Sequence, residues 1–287
     1  MTIQDTSRIA GVARTEPKPA PGQPVRPVRR LPVQMDWPSW AIIAVQIGIL
    51  VGIIALWEIG ARAGFVDGFF WSQPSAIWRT FVIFFTEGDA WTDISFTFRS
   101  TIFGFIIGTT TGSLFGLSFW WSRNYAAIAQ PYIICFESMP KLALAPLVIL
   151  VFGLGLVSKV VIAVALTFVI STLTAYAGVK AIDPDGEKLF YSLGASRWQV
   201  FRKFVVPSCL PWIISVLRVN IGLALTGAIV GEFISSQHGL GRTIFYASST
   251  YEISLVWVAV FVLSTLAVIM YAAVSWLESV LRKGTRQ

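Results

Sequence analysis

The chain has 287 residues, of which 55% are hydrophobic and only 13% charged, with a mean hydropathy of +0.70. That composition excludes an ordinary soluble domain and places the chain among polytopic membrane proteins. A net charge of +7 would otherwise suggest a nucleic-acid partner, but the placement of the cations across the spans accounts for it.

Residues 1–38 are rich in Pro and Arg (TEPKPAPGQPVRPVRR) with too few apolar groups for a core, so a disordered basic tail is expected, with contact to anionic lipid or a partner as its alternative role. No apolar segment precedes Trp40. The run Trp40 to Trp57, inside a first transmembrane segment 39–60, therefore reads as an uncleaved anchor and not a secretory signal. Residues 61–99 form an outside segment in which apolar side chains return at helical spacing from Pro74 onward (Ile77, Phe81, Phe84, Phe85). This predicts an interfacial helix, with Trp71, Trp78 and Trp91 at headgroup level.

Ser100 to Ser122 is the second span, and Gly104, Gly108, Gly112 and Gly116 give it a small-residue stripe for close helix packing. Asn124 to Ser158 is apolar but carries Glu137 and Lys141, spaced to pair, among Pro131, Pro140 and Pro146. At ~1.5 Å per residue it is too long for one straight crossing, so a bent or partly interfacial helix is expected, and Glu137, Pro140 and Lys141 become candidates for a pathway wall or gate, with a structural Glu137–Lys141 ion pair as the equal alternative. Val160 to Val179, Phe204 to Gly231 and Ile253 to Leu277 complete six spans. Arg218, in the fifth, either snorkels to the interface or attracts an anion in the pathway.

Residues 181–211 are a polar, cation-bearing stretch between spans. Asp183 to Tyr191 reads as a short helix ended by Gly194, and Ser196 caps a second, with Gln199 completing a capping box. Pro207 and Pro211 are expected to interrupt that second helix before the span begins. Ser235 to Glu252, with Gly239 and Gly241, reads as a short outside loop. With both termini inside, the inside segments hold about 15 Lys and Arg against about 5 outside, Lys159 counted among the latter.

Cys135, Cys209 and His238 have no metal-site spacing, and neither a hydrolase motif nor a P-loop occurs. If the protein uses ATP, another chain binds it. An ion-gradient secondary transporter would need coupling-ion ligands and usually internal repeats, and an intramembrane enzyme would need a catalytic constellation. Neither is visible in the sequence.

The 188–211 stretch resembles the cytoplasmic EAA loop of binding-protein-dependent ABC transporter permeases, whose pattern is Glu-Ala-Ala, three residues, Gly, nine residues, a hydrophobic residue, one more, then Leu-Pro. Gly194 matches the Gly, Phe204 the hydrophobic position and Val206-Pro207 the Leu-Pro. The Glu-Ala-Ala positions are Lys188, Leu189 and Phe190, so the acid is out of register and Glu187 is the nearest. Leu210-Pro211, LRVNIGLALTGAIVGEFI, SMPKLALAPLVILVFGLGLVSK and GLGRTI resemble the branch importing nitrate, sulfonate, taurine and bicarbonate. The resemblance implies a non-catalytic permease subunit in a bacterial inner membrane. It would be a homodimer, or paired with a related permease, and would work with two cytoplasmic ATPases that carry the ATP and Mg and with a periplasmic binding protein. It also implies that Gly194, Ala195, Ser196, Arg197 and Trp198, with Glu187, contact the ATPase, and that Ser235 to Glu252 faces the binding protein. No cofactor is expected in this chain, and the substrate is expected to be a small anion.

Overall fold

The computed structural model describes residues 38–284, and every regular element among them is helical. The tail expected over residues 1–38 lies, but for its last residue, outside the described residues. The chain divides after Val51 into two compact units. The first contributes, among the described residues, the opening half of α1 (Ser39–Arg62), an apolar helix with no buried residue.

The second unit begins at Gly52. After α1 come α2 (Gly68–Trp71) and α3 (Pro74–Thr86), the helix expected from Pro74 onward, with Ile77 and Phe84 on its buried side and Trp78 exposed. Pro74 suits the first turn, where its missing N–H costs nothing. Gln73 provides no side-chain cap; Glu58 does so instead, accepting from the Ser75 N–H at 3.0 Å.

Next come α4 (Ala90–Ser118), a 3-10 turn (Phe119–Trp121), α5 (Arg123–Ser138), a second 3-10 turn (Lys141–Leu144), α6 (Ala145–Phe152) and α7 (Leu156–Lys180). The glycine stripe of α4 lies against α7. A Cβ on Gly104 would come within 2.3 Å of the Ala163 Cβ, and one on Gly112 within 2.3 Å of the Phe168 carbonyl oxygen. Thr172 donates to the Gly112 carbonyl at 3.1 Å, a bond that the close approach makes possible. A polar seam adds α10: the Asn220 amide donates to Thr109 Oγ1 at 2.9 Å and to Ser171 Oγ at 2.6 Å.

The remaining elements are α8 (Pro184–Ser192), α9 (Arg197–Val200), a π-helical turn (Phe201–Val205), α10 (Val206–Ile234), α11 (Leu240–Ser249) and α12 (Ile253–Gly284). The main core joins Phe105, Ala163, Leu217, Ile221, Val258 and Leu266 from α4, α7, α10 and α12. Among the described residues, five helices are long and apolar enough to cross a membrane, and six crossings result if the bent pair Arg123–Ser138 and Lys141–Phe152, kinked by 77°, counts as one. The bend falls at Met139-Pro140, among the prolines that led to its expectation.

The structure differs from the sequence reading in four places. The second span begins at Ala90 and not Ser100, because Asp93 and Thr97, which lower its hydropathy, are buried against other helices. Pro207 and Pro211 do not separate α9 from the span: helix runs from Arg197 to Ile234. The π turn widens the backbone just before Pro207, whose missing N–H and bulky ring would disrupt a regular α-turn. Ser235 to Glu252 is not a plain loop, since α11 fills most of it. Lys159 lies inside α7 and is fully buried, not in an outside loop.

Candidate functional site

The hairpin of α8 and α9 is built as its residues require. Asp183 caps α8, accepting from the Asp185 N–H at 3.0 Å, and Gly194 ends it with φ +82°, a conformation open to glycine at little cost. The Ser196 N–H donates to Gln199 Oε1 at 2.7 Å and the Gln199 N–H to Ser196 Oγ at 3.3 Å, the reciprocal capping box. Under the turn, Val200, Val205 and Cys209 are buried with Leu117 of α4 and Ala175 of α7, and Ala195 packs on this cluster. The Phe204 ring lies 5.1 Å from that of Phe190, closing the two arms on each other. The hairpin is thus packed against α4 and α7.

Its outer surface is unusual for a polar element. Leu189 is 59% exposed, Leu193 77% and Trp198 58%. Leu189 and Leu193, four residues apart, are functional candidates that the sequence reading passed over; two leucines at helical spacing on a helix rich in charge were the available signal. Gly194 and Ser196 are exposed, Ala195 and Glu187 half-buried. Arg197 folds back: its guanidinium donates to the Trp121 carbonyl and lies over the Trp120 and Trp121 rings at 5.6 and 5.2 Å, tying α9 to the turn between α4 and α5.

The bent pair borders a cleft of about 600 Å³ between α5, α6 and α7, lined by Phe115, Tyr132, Phe136, Met139, Phe168 and one cation, Lys141. The Lys141 ammonium donates to the Glu137 carbonyl at 3.0 Å and sits 3.4 Å from its carboxylate. Pro140 is exposed at the break. Arg218 is not brought to this cleft. Its Nε lies 2.5 Å from the Glu278 carboxylate of α12, which also holds Arg282 at 2.8 Å.

At the opposite end from the hairpin lies a buried polar cluster that the sequence reading did not identify. Three consecutive N–H groups at the start of α11 are held by side chains of other helices. Gly239 donates to Asp93 Oδ1 at 2.8 Å, Leu240 to Thr97 Oγ1 at 2.9 Å and Gly241 to Glu232 Oε2 at 2.9 Å. Thr97 donates to Glu232 Oε2 at 3.0 Å and Thr243 to Asp93 Oδ2 at 2.5 Å. A helix start leaves such donors unmatched and slightly positive, so buried carboxylates are well placed there. Lys159 closes the group, donating to the Leu154 and Ser235 carbonyls at 2.7 and 2.5 Å. The signal was a Glu and an Asp inside apolar helices, masked because both stand near span ends.

Residues 100–283 match the family described as "binding-protein-dependent transport system inner membrane component". The formylaminopyrimidine transport permease protein ThiX of Halalkalibacterium halodurans is 31% identical over 229 residues, covering 80% of this chain and 91% of its own. The riboflavin transport system permease protein RibX of Chloroflexus aurantiacus is 28% identical, covering 86% and 91%. The taurine transport system permease protein TauC of Escherichia coli is 24% identical, covering 82% and 87%. A solved structure of the MetNI methionine ABC transporter in an inward-facing conformation shares the fold, with a TM-score of 0.54 at 18% identity over 66% of this chain and 93% of that one.

Proposed function

Because the chain belongs to the family of binding-protein-dependent transport system inner membrane components, and is thus a multi-pass inner membrane protein, we propose that it forms the translocation pathway of an ATP-driven importer and takes its power stroke through the α8–α9 hairpin. The supporting observation is an exposed apolar surface, Leu189, Leu193 and Trp198, on an element otherwise suited to water and seated on two spans. Such a surface is what a docking partner buries. On this reading the hairpin end and both termini are cytoplasmic, two ATPases supply hydrolysis, and the permease pairs with itself or a related subunit. α11 faces the binding protein. Gly194, Ala195, Ser196 and Trp198, with Glu187, form the ATPase contact, while Arg197 passes its displacement to the α4–α5 turn.

Glu137, Pro140 and Lys141 stand at the gate in this proposal, since the kinked backbone there borders the cleft. The Arg218 pair with Glu278 supports a role in holding α10 to α12, alongside the anion-attracting role expected from its position. Two substrate readings are carried: a small anion such as nitrate, a sulfonate or taurine, or bicarbonate, and a flat heteroaromatic solute. The aromatic lining of the cleft, with Lys141 its one cation, favours the second.

In a background lacking Cys135 and Cys209, a cysteine replacing Ser196 tests the orientation and the docking together. Membrane-impermeant thiol reagents should reach it only from the cytoplasmic side, and co-assembly with the ATPase should protect it. Labelling from outside the cell, or the same labelling with and without the ATPase, would overturn the proposal.

A further inference from the structure

Beside the inner surface of the hairpin lies a second cavity of about 660 Å³, bordered by Arg123, Gln130, Tyr176, Lys180, Glu187 and Arg197. Three cations therefore meet one carboxylate. Among the described residues none of these three cations belongs to an ion pair. Lys180 instead lies 4.3 Å from the centre of the Tyr176 ring and Arg197 lies over Trp120 and Trp121. Arg123 is the first residue of the 16-residue helix α5, whose N-terminal N–H groups add to the positive field at the cavity edge. Cations gathered in a concave site without matching carboxylates raise the local concentration of anions.

The location narrows the choice of anion. Trp121 closes the apolar helix Ala90–Trp121 and Lys180 closes Leu156–Lys180, so the cavity opens where two membrane-crossing helices end. Tyr176, Trp120 and Trp121 on its wall are the side chains favoured at headgroup depth, and Ala126 and Val179 supply apolar contact. We infer that this cavity binds the phosphate of an anionic lipid headgroup, held by Arg123, Lys180 and Arg197. The lipid would bridge the α4–α5 turn, the end of α7 and the hairpin, making their relative movement sensitive to membrane composition. The inference does not depend on what the hairpin docks.

Native mass spectrometry of the full-length protein, titrated with phosphatidylglycerol, phosphatidylcholine and inorganic phosphate, tests this. Phosphatidylglycerol should be retained in preference to phosphatidylcholine and should resist displacement by millimolar phosphate. Arg123→Gln with Lys180→Gln should weaken its retention about tenfold or more, whereas Arg123→Lys with Lys180→Arg should keep it. Arg202→Gln with Lys203→Gln, which removes two exposed cations outside the cavity, should leave it unaffected. Should the first pair aggregate, the two single glutamine variants, each weakened severalfold, carry the same test. Equal retention of the zwitterionic lipid, unchanged retention in the glutamine variants, or displacement by phosphate would overturn the inference, the last marking a site for soluble anions.

Discussion

The carboxylate of Glu232 occupies the space that a side chain on Gly239 would need: a Cβ there would lie 2.4 Å from the carboxyl carbon. Gly239 also has φ +118°, where any other residue is strained by roughly 1–3 kcal/mol. Gly239→Ala should therefore loosen α11 and lower the thermal unfolding midpoint in detergent. Gly222→Ala, on α10 with open space around it, should leave the midpoint unchanged or raised.

Asp93 accepts from two groups of α11, the Gly239 N–H and the Thr243 hydroxyl. Asp93→Ala leaves both buried donors without that partner, at a cost of about 1–3 kcal/mol each. Hydrogen exchange should rise in residues 239–249 and stay unchanged in the hairpin; protection unaltered in α11 would refute its role as a clasp.

Along the glycine stripe the two central positions should differ. A Cβ on Gly108 would meet the Thr167 hydroxyl, a side chain that can rotate, whereas one on Gly112 would meet the Phe168 backbone oxygen at 2.3 Å. Gly112→Ala should then be the more damaging, by about 1–3 kcal/mol of overpacking, read as loss of monodisperse protein on size exclusion. Pairing Gly108→Ala with Thr167→Ala, which removes the hydroxyl that the new Cβ meets, should recover part of its loss. Pairing Gly112→Ala with the same change should not.

Arg197 joins α9 to the turn between α4 and α5 through the Trp121 carbonyl. Arg197→Ala should speed hydrogen exchange in residues 119–125 while leaving the capping box of Ser196 and Gln199 protected, because that box is local to α9.

Much of this architecture is readable from local chemistry. The Ser196 capping box, the Gly194 turn and the Pro74 start of α3 each depend on a few adjacent residues, and each stands where the sequence places it, whereas the three prolines of 124–158 announce a bend without fixing that it falls after Ser138. The glycine stripe announced a close helix approach without naming α7 as the partner, since spacing gives a face and not its neighbour. The α11 clasp was hidden for the same reason: Asp93 and Gly239 are far apart in sequence, and only the fold makes a cap from the carboxylate of one and the N–H of the other. Pro207 misled because the widening that accommodates it lies in the preceding residues, whose sequence, Phe201 to Val205, carries no break signal.

The coupling of uptake to ATP hydrolysis in Gly194→Val tests the central claim most directly. At φ +82° with no neighbour among the described residues within reach of a Cβ, this change strains the hairpin turn without crowding any other described helix, so insertion and folding should persist. In vesicles holding the assembled transporter, uptake per ATP hydrolysed should fall about tenfold or more, as a turn strained by roughly 1–2 kcal/mol no longer holds the docking surface in place. Uptake per ATP equal to that of the unaltered protein would contradict the account.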